Sequence, residues 1–311
     1  MHRTKTRLAA RAHRIATKLE KRGVRATYRL HDRILSNRSS RRHFASDRPQ
    51  LDELQQRIVS ELQEDGYSLL TFPELFPDGE WEAVQGQAER FVADTEAGLS
   101  GGREGLRVRE GKEFVVRLHS YEGELGDDDP WFRACASHRM LDIANTYLGL
   151  WSKLEYVDMW YSVPQPEDKD RVSSQRWHRD FNDKHLLKAF LYLVDVDEGT
   201  GPFQFVPGSQ AGGRYANEWP WRPLGDNYPP ENELERRLPR DAVKTFTGSK
   251  GTFLFCNTSG FHRGGFATVK ARVLATCTYS SPASLASLTE RSFRYTGTLD
   301  ELDATTLFAL T

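Results

Sequence analysis

The chain has 311 residues, 38% hydrophobic and 28% charged, with a formal net charge of -1 and a mean hydropathy of -0.64. These values suit a globular chain long enough to bury a sizeable core, and they exclude a disordered or collagen-like composition. No apolar run approaches the roughly 18 residues of a membrane span, and three scattered cysteines (Cys135, Cys256, Cys277) form neither a disulfide framework nor a CxxC motif.

The charge is unevenly placed. Residues 1–48 carry 15 Lys+Arg against three acidic residues, a balance of +12, which leaves 28 against 41, or -13, for the remainder. The spacing predicts a basic helix over 4–22, ended by Gly23, and a second helical stretch with Val24, Tyr28, His31 and Leu35 on one face. Residues 1–48 are therefore expected to form a basic helical arm, either solvated or docked on an anionic surface such as a membrane. The polar run 37–50 reads as a linker. No h-region follows Met1, so a secretory signal is not expected. A cytoplasmic, reducing location fits, with peripheral membrane contact as an option and mitochondrial import only for a eukaryotic source.

The main domain is expected over 49–290, with a tail over 291–311. Leu51, Leu54, Ile58 and Leu62 mark an amphipathic helix that Asp65-Gly66 ends. A short apolar strand (66–72), a helix (81–99), a Gly-rich loop and a strand (112–119) follow. Asp127-Asp128-Asp129-Pro130 suits the start of a helix that Gly149 closes. The second half is strand-rich: 153–163, 185–195, 202–207, 251–256 and 271–280 are β-branched and aromatic, with Gly, Pro, Asn and Asp between them. Residues 211–240, dense in Pro, Trp and charge, form an insert long enough to act as a lid or binding loop.

The stretch Trp177-His178-Arg179-Asp180 carries the chemistry. On an extended strand, His178 and Asp180 project to one face, and an imidazole with a carboxylate forms two-thirds of a 2-His-1-carboxylate site for non-heme iron. Of the remaining histidines, His262 follows one apolar strand and precedes another, as a site built inside a barrel requires. Ten residues on, Arg272 begins an otherwise apolar strand, where its guanidinium fork suits a carboxylate.

The order HxD, GTGPFQFVPGSQ, GTFLFCNTSGFHRGG and then Arg272 resembles the phytanoyl-CoA dioxygenase family of Fe(II)/2-oxoglutarate oxygenases, from about Leu51 to Ser281. The resemblance implies a mainly β fold, a double-stranded β-helix (jelly roll) with flanking helices. It also implies Fe(II), 2-oxoglutarate as co-substrate and O2. His178, Asp180 and His262 match the metal ligands, and Arg272 the partner of the far carboxylate of 2-oxoglutarate, with no catalytic group beyond the iron site. Lys188, Phe190 and Tyr192 share a strand face that would look into the barrel toward the co-substrate. By the same count Met159 and Tyr161 would line the opposite wall, with Tyr161 toward the co-substrate and Met159 toward the substrate. Arg179 should point away from the metal. The insert, with Trp219 and Trp221, and the loop 100–111 are candidates for a substrate lid.

Two departures stand out. Pro207-Gly208-Ser209-Gln210 replaces the family's common PGSH, and the insert is large. Asp180 is retained where related halogenases carry Ala or Gly, which favours hydroxylation of a small-molecule, lipid- or carrier-linked substrate. Desaturation, epimerisation or ring closure would use the same residues. A non-catalytic binding module whose basic arm carries the function is the reading from a different class.

Overall fold

The computed structural model describes residues 22–311 except 78, 104, 109–110, 120–122, 224–226, 231 and 286–292. The expected helix over 4–22 lies almost wholly outside them. Gly23 sits inside a helix that covers 22–33, so it does not end one there.

The expected linker over 37–50 is corrected: Ser36–Ser46 is a helix. Its polar residues are used inward, which is why composition alone misreads it. Asn37 donates to Ser281 Oγ at 2.9 Å, its carbonyl oxygen accepts from Ala283 N at 3.1 Å, and the Ser40 hydroxyl donates to Trp151 O at 2.5 Å. Helix 22–33 is tied down in the same way, by Tyr28 O–H to Asp183 Oδ1 at 2.6 Å and by buried Asp32.

The helix Glu53–Asp65 begins in a capping box, with Asp52 accepting from Gln55 N and the Gln55 side chain returning to Asp52 N. Gly66 closes it in the left-handed conformation. Helices Glu80–Ser100, Pro130–Ala136 and His138–Leu148 follow. Asp129 caps the second of these by accepting from Phe132 N at 2.8 Å, as its acidic start predicts.

The strands are β1 Tyr67–Thr71, β2 Val115–Arg117, β3 Gly123–Leu125, β4 Lys153–Ser162, β5 Leu186–Tyr192, β6 Phe203–Phe205, β7 Lys244–Phe246, β8 Thr252–Cys256, β9 His262–Arg263, β10 Arg272–Ser280 and β11 Phe293–Tyr295. A six-stranded antiparallel sheet runs β1-β8-β5-β10-β4-β2. A smaller antiparallel sheet runs β7-β6-β9, and the bridge between His178 and His262 extends it by one segment. β3 and β11 form a parallel pair. The residues after 291 are thus not only a tail: besides β11 they form the helix Ala304–Leu310, whose Phe308 carbonyl accepts from Lys153 Nζ at 2.6 Å.

The large sheet separates two cores. One face packs on the helices: Met159, Leu187, Ala189, Leu191, Phe253, Phe255, Ala275 and Cys277 join Ile58, Leu62, Trp131 and Phe132. The other face looks toward the small sheet, and Phe190, Tyr192, Leu254 and Leu274 pack with Phe203, Phe205 and Phe246. This is the sandwich logic of a jelly roll, in which strands apolar on both faces feed two layers.

Candidate metal centre

His178 and His262 face each other as a backbone-bonded pair. His178 N donates to His262 O at 2.9 Å and His262 N donates to His178 O at 3.0 Å. Their ring centroids lie 4.1 Å apart. Asp180 is aligned by its own backbone N–H, which donates to Thr258 O at 2.9 Å. Asp180 Oδ1 then lies 3.9 Å from His178 Nε2 and 3.8 Å from His262 Nε2. The three ligand atoms fall within 4.8 Å of one another.

Each imidazole is oriented from behind. Nδ1 of His178 lies 2.9 Å from Arg176 O, and Nδ1 of His262 lies 3.0 Å from Gly260 O. A carbonyl accepts only from an N–H, so both rings carry the proton on Nδ1 and turn an Nε2 lone pair inward. Burial pushes both imidazoles toward the neutral form: the pKa of His262 falls to about 4, and that of His178 falls well below its usual value, helped by the proximity of His262. Burial alone would raise the Asp180 carboxyl, but Lys188, His262 and His178 reverse this and hold it well below the usual carboxylate range. Two neutral imidazoles and one carboxylate are the protonation states a divalent iron requires.

Arg272 stands on β10 opposite Ser162 of β4 and is buried. Its Nη1 donates to Gly201 O at 2.7 Å, while its buried Nε has no hydrogen-bond partner. An orphaned guanidinium N–H in a closed site is costly, so the position fits a carboxylate ligand such as the far end of 2-oxoglutarate. The backbone around it is tightly crossed. A Cβ on Gly265 would lie 1.5 Å from the Gly201 carbonyl oxygen, which explains a glycine at that position.

The other expected residues divide. Lys188, Phe190 and Tyr192 share the inward face of β5. Lys188 Nζ lies 2.6 Å from Asp180 Oδ2, the Phe190 ring packs tilted against Phe203 with centroids 4.9 Å apart, and Tyr192 O–H donates to Phe246 O at 2.8 Å. Met159 and Tyr161 are corrected. Met159 is wholly buried in the core against the helices, and Tyr161 O–H donates to Glu96 Oε1 at 3.3 Å on the helix Glu80–Ser100. The register with β10 decides this: Thr276, Leu274 and Arg272 pair with Asp158, Trp160 and Ser162, so the alternate residues of β4 face inward.

Sequence reasoning missed what those inward positions hold. Arg117 of β2 donates to Asp158 Oδ2 at 2.5 Å, and Tyr156 O–H donates to the same oxygen at 2.6 Å. Trp160 Nε1 donates to Tyr156 Oη at 2.8 Å. An arginine in a short apolar strand was the available signal for this network.

The insert is bound to the metal-bearing segment. Arg179 points away from the metal, as expected, and is 1% exposed. Its guanidinium donates to the carbonyls of Trp219, Ser209, Ser259, Ala216 and Glu218. Trp219 packs with Trp177, Val206, Leu234, Leu238 and Phe261 under the insert. Trp221 Nε1 donates to Asp180 O at 2.6 Å. Tyr228, which no sequence pattern singles out, stacks on His178 at 5.0 Å and 7°. Gln210, at the family's histidine position, is buried with its amide against Gly66, away from the triad. Residues 104 and 109–110 of the expected lid loop lie outside the described residues.

A jelly roll with an HxD…H triad between its two sheets defines a fold and site of the non-heme iron, 2-oxoglutarate oxygenase type. A family model for phytanoyl-CoA dioxygenase matches residues 62–272, about two-thirds of the chain, and the chain belongs to that family. No curated protein matches the chain in sequence. Among solved structures, EctD from S. alaskensis with 2-oxoglutarate and 5-hydroxyectoine is 19% identical, covers 78% of this chain and 88% of that one, and has a TM-score of 0.52. The epimerase SnoN in complex with Fe3+, alpha ketoglutarate and nogalamycin RO is 19% identical, over 73% of this chain and 84% of that one, with a TM-score of 0.50. At these identities the likeness is one of fold.

Proposed function

We propose that this chain is an Fe(II)/2-oxoglutarate-dependent dioxygenase that hydroxylates an unactivated C–H bond of a small-molecule, lipid- or carrier-linked substrate. The observation that carries the reading is the convergence of two Nε2 lone pairs and one Asp180 oxygen within 4.8 Å, with the buried, unpartnered Nε–H of Arg272 on the facing sheet. Bound iron with 2-oxoglutarate and O2 would supply the oxidation, one oxygen atom ending in succinate as CO2 leaves and the other in the substrate C–OH.

The chain's own residues do the positioning. His178, Asp180 and His262 would hold the iron as its three protein ligands, a set that suits non-heme Fe(II). Arg272 would bind and orient the far carboxylate of 2-oxoglutarate. Lys188 holds Asp180 Oδ2, which fixes which carboxylate oxygen turns to the metal. Phe190, Phe203 and Leu274 line the space between the sheets and exclude water from it. Arg117 and Trp160 face the same space and are candidates for substrate contacts, with Tyr228 of the insert as a cover over His178.

The three cysteines are free and buried, which suits a reducing, cytoplasmic location, and no helix among the described residues is long and apolar enough to cross a membrane. Anaerobic Fe(II) with 2-oxoglutarate should give the weak visible charge-transfer band of a chelated complex, and His178→Ala should abolish it. A wild-type protein with no band and no substrate-stimulated succinate release would sink the reading and leave a non-catalytic binding module. Desaturation, epimerisation or ring closure would retain the band and succinate release, and the mass of the product separates them: hydroxylation adds one oxygen atom.

A further inference from the structure

Helix 22–33 and the insert enclose a cavity of about 310 Å³ that the oxidation site does not use. Arg25, Arg29 and Arg33 line it from successive turns of the helix, Lys184 from the segment that follows Asp180, and Arg222 from the insert. Five cationic side chains thus surround one carboxylate, that of Asp32. Asp32 is already satisfied: Lys184 Nζ lies 2.6 Å away, His185 Nε2 3.2 Å and Arg41 Nη2 3.4 Å, and Asn37 Nδ2 donates to it at 3.1 Å. Among the described residues, Arg29, Arg33 and Arg222 have no acidic partner, and Arg25 donates only to the Pro223 carbonyl at 3.3 Å.

Like charges four residues apart on a helix repel one another. Here the row is nevertheless held over the cavity by buried tertiary bonds, with Tyr28 O–H on Asp183 Oδ1 at 2.6 Å and Asp32 on Lys184. Tyr28 and Trp221 form an aromatic floor, their ring centroids 5.3 Å apart. A row of guanidinium forks with no acidic partner among the described residues, above an aromatic floor, is suited to a tetrahedral oxyanion carried on an organic group, because each fork can donate two parallel bonds to its oxygens.

We propose that this cavity binds the phosphate group of a phosphate ester. The site does not depend on the iron reading, although Trp221 links the two by donating to the Asp180 carbonyl. Two sources could supply such a group, a soluble phosphorylated molecule or the headgroup of a bilayer lipid. Leu30, Ile34 and Leu35, exposed by 45%, 56% and 47% at the end of the same helix, are placed to meet a bilayer in the second case.

The test titrates the full chain with inorganic phosphate and glycerol 3-phosphate by calorimetry at fixed ionic strength. In parallel, the chain is floated with phosphatidylcholine vesicles with and without phosphatidylglycerol. Wild type is compared with Arg29→Gln/Arg33→Gln/Arg222→Gln, whose exposed side chains make no ion pair among the described residues, and with Arg90→Gln/Arg103→Gln/Lys270→Gln, which removes the same charge elsewhere. Binding of glycerol 3-phosphate that weakens at least about tenfold only in the first variant supports the site with a soluble ligand. Flotation that needs phosphatidylglycerol and is lost only in the first variant supports it with a lipid headgroup. No binding by the wild type in either arm overturns the proposal, as does equal loss in both variants or equal binding by all three proteins. Thermal melts of the variants establish that each is folded.

Discussion

Replacing Arg179 by Met keeps most of the stem volume and removes the fork that joins the insert to the metal-bearing segment. The wild-type guanidinium is 1% exposed and donates at 3.1 Å to Trp219 O, 2.6 Å to Ser259 O and 3.1 Å to Glu218 O, with further bonds to Ser209 and Ala216. It also lies 3.8 Å from the centroid of the Phe261 ring. Burial lowers its pKa, but a ring of carbonyl acceptors has use only for the protonated form. A hydrogen bond to a charged group contributes roughly 1.5–3 kcal/mol, yet the set is not additive and the buried charge itself carries a desolvation cost. Arg179→Met leaves buried carbonyls without their donor, at about 1–3 kcal/mol for each one that stays unsatisfied, so a non-additive loss of about 3 kcal/mol or more is a large part of the roughly 5–15 kcal/mol that holds a typical fold.

The assay is urea unfolding of the metal-free protein together with timed limited proteolysis. Arg179→Met should lower the unfolding free energy by that amount and speed cleavage within 211–240, where three of the five carbonyls lie. Arg179→Lys should recover little, because an ammonium cannot span five carbonyls. A loss under about 1 kcal/mol, the size of a single ordinary hydrogen bond, with unchanged cleavage would refute the keystone role of this side chain.

Arg272→Gln should raise the apparent KM for 2-oxoglutarate at least about tenfold through the lost charge-assisted pair, measured as succinate release, with the iron affinity little changed. Gly265→Ala should cost on the order of 1–3 kcal/mol in a thermal melt, because its Cβ would overlap the Gly201 carbonyl oxygen, and should weaken 2-oxoglutarate through the Gly201–Arg272 bond. Burial would raise the Asp32 carboxyl, but His185 and Lys184 outweigh it and hold its pKa below the ordinary aspartate value. A depressed carboxyl pKa contributes stability above the unfolded pKa and loses it as pH falls through the folded one. Docking of helix 22–33 should therefore persist at neutral pH, begin to weaken below about pH 4, where the undocked carboxyl takes up a proton first, and lose this contribution only as the pH falls through the lower folded value. Asp32→Asn should show the same loss at pH 7, read as hydrogen exchange in 22–33; equal protection in the variant would contradict this.

Much of the fold was legible because local pattern and burial agree. Strands β4, β5, β6, β8 and β10 are β-branched and aromatic, and their boundaries fall where Gly, Pro and Asn interrupt them, whereas the short β7 and β9 are too brief to carry such a pattern and were not expected. The helix 127–149 was legible as a start and a stop, but it is two helices joined at Ser137, a break without Gly or Pro to mark it. The face of β4 was misjudged by one residue. Every position in Met159-Trp160-Tyr161 is large and apolar, so alternation carries no sign there, and only pairing with β10 sets it. Residues 36–46 were misread because Asn, Ser and Arg resemble a linker in composition, while their hydrogen bonds reach partners more than a hundred residues away.

The sequence by itself determined the ligand types and their order: a His and an Asp two apart, a distant His, and an Arg ten beyond it. Spacing of two on a strand is a local property, fixed by the pleat. The tertiary structure alone decided that His178 and His262 are direct cross-strand partners and that their Nδ1 atoms face carbonyls. It also decided that Lys188 holds Asp180 and that Arg179 ties the insert to the site. The cross-strand pair and the Arg179 bonds join residues far apart in the chain, while the Nδ1 and Lys188 contacts are short in sequence but are set by the same buried surroundings. The free energy that selects them comes from burying charged and polar groups together, which no local window of sequence contains.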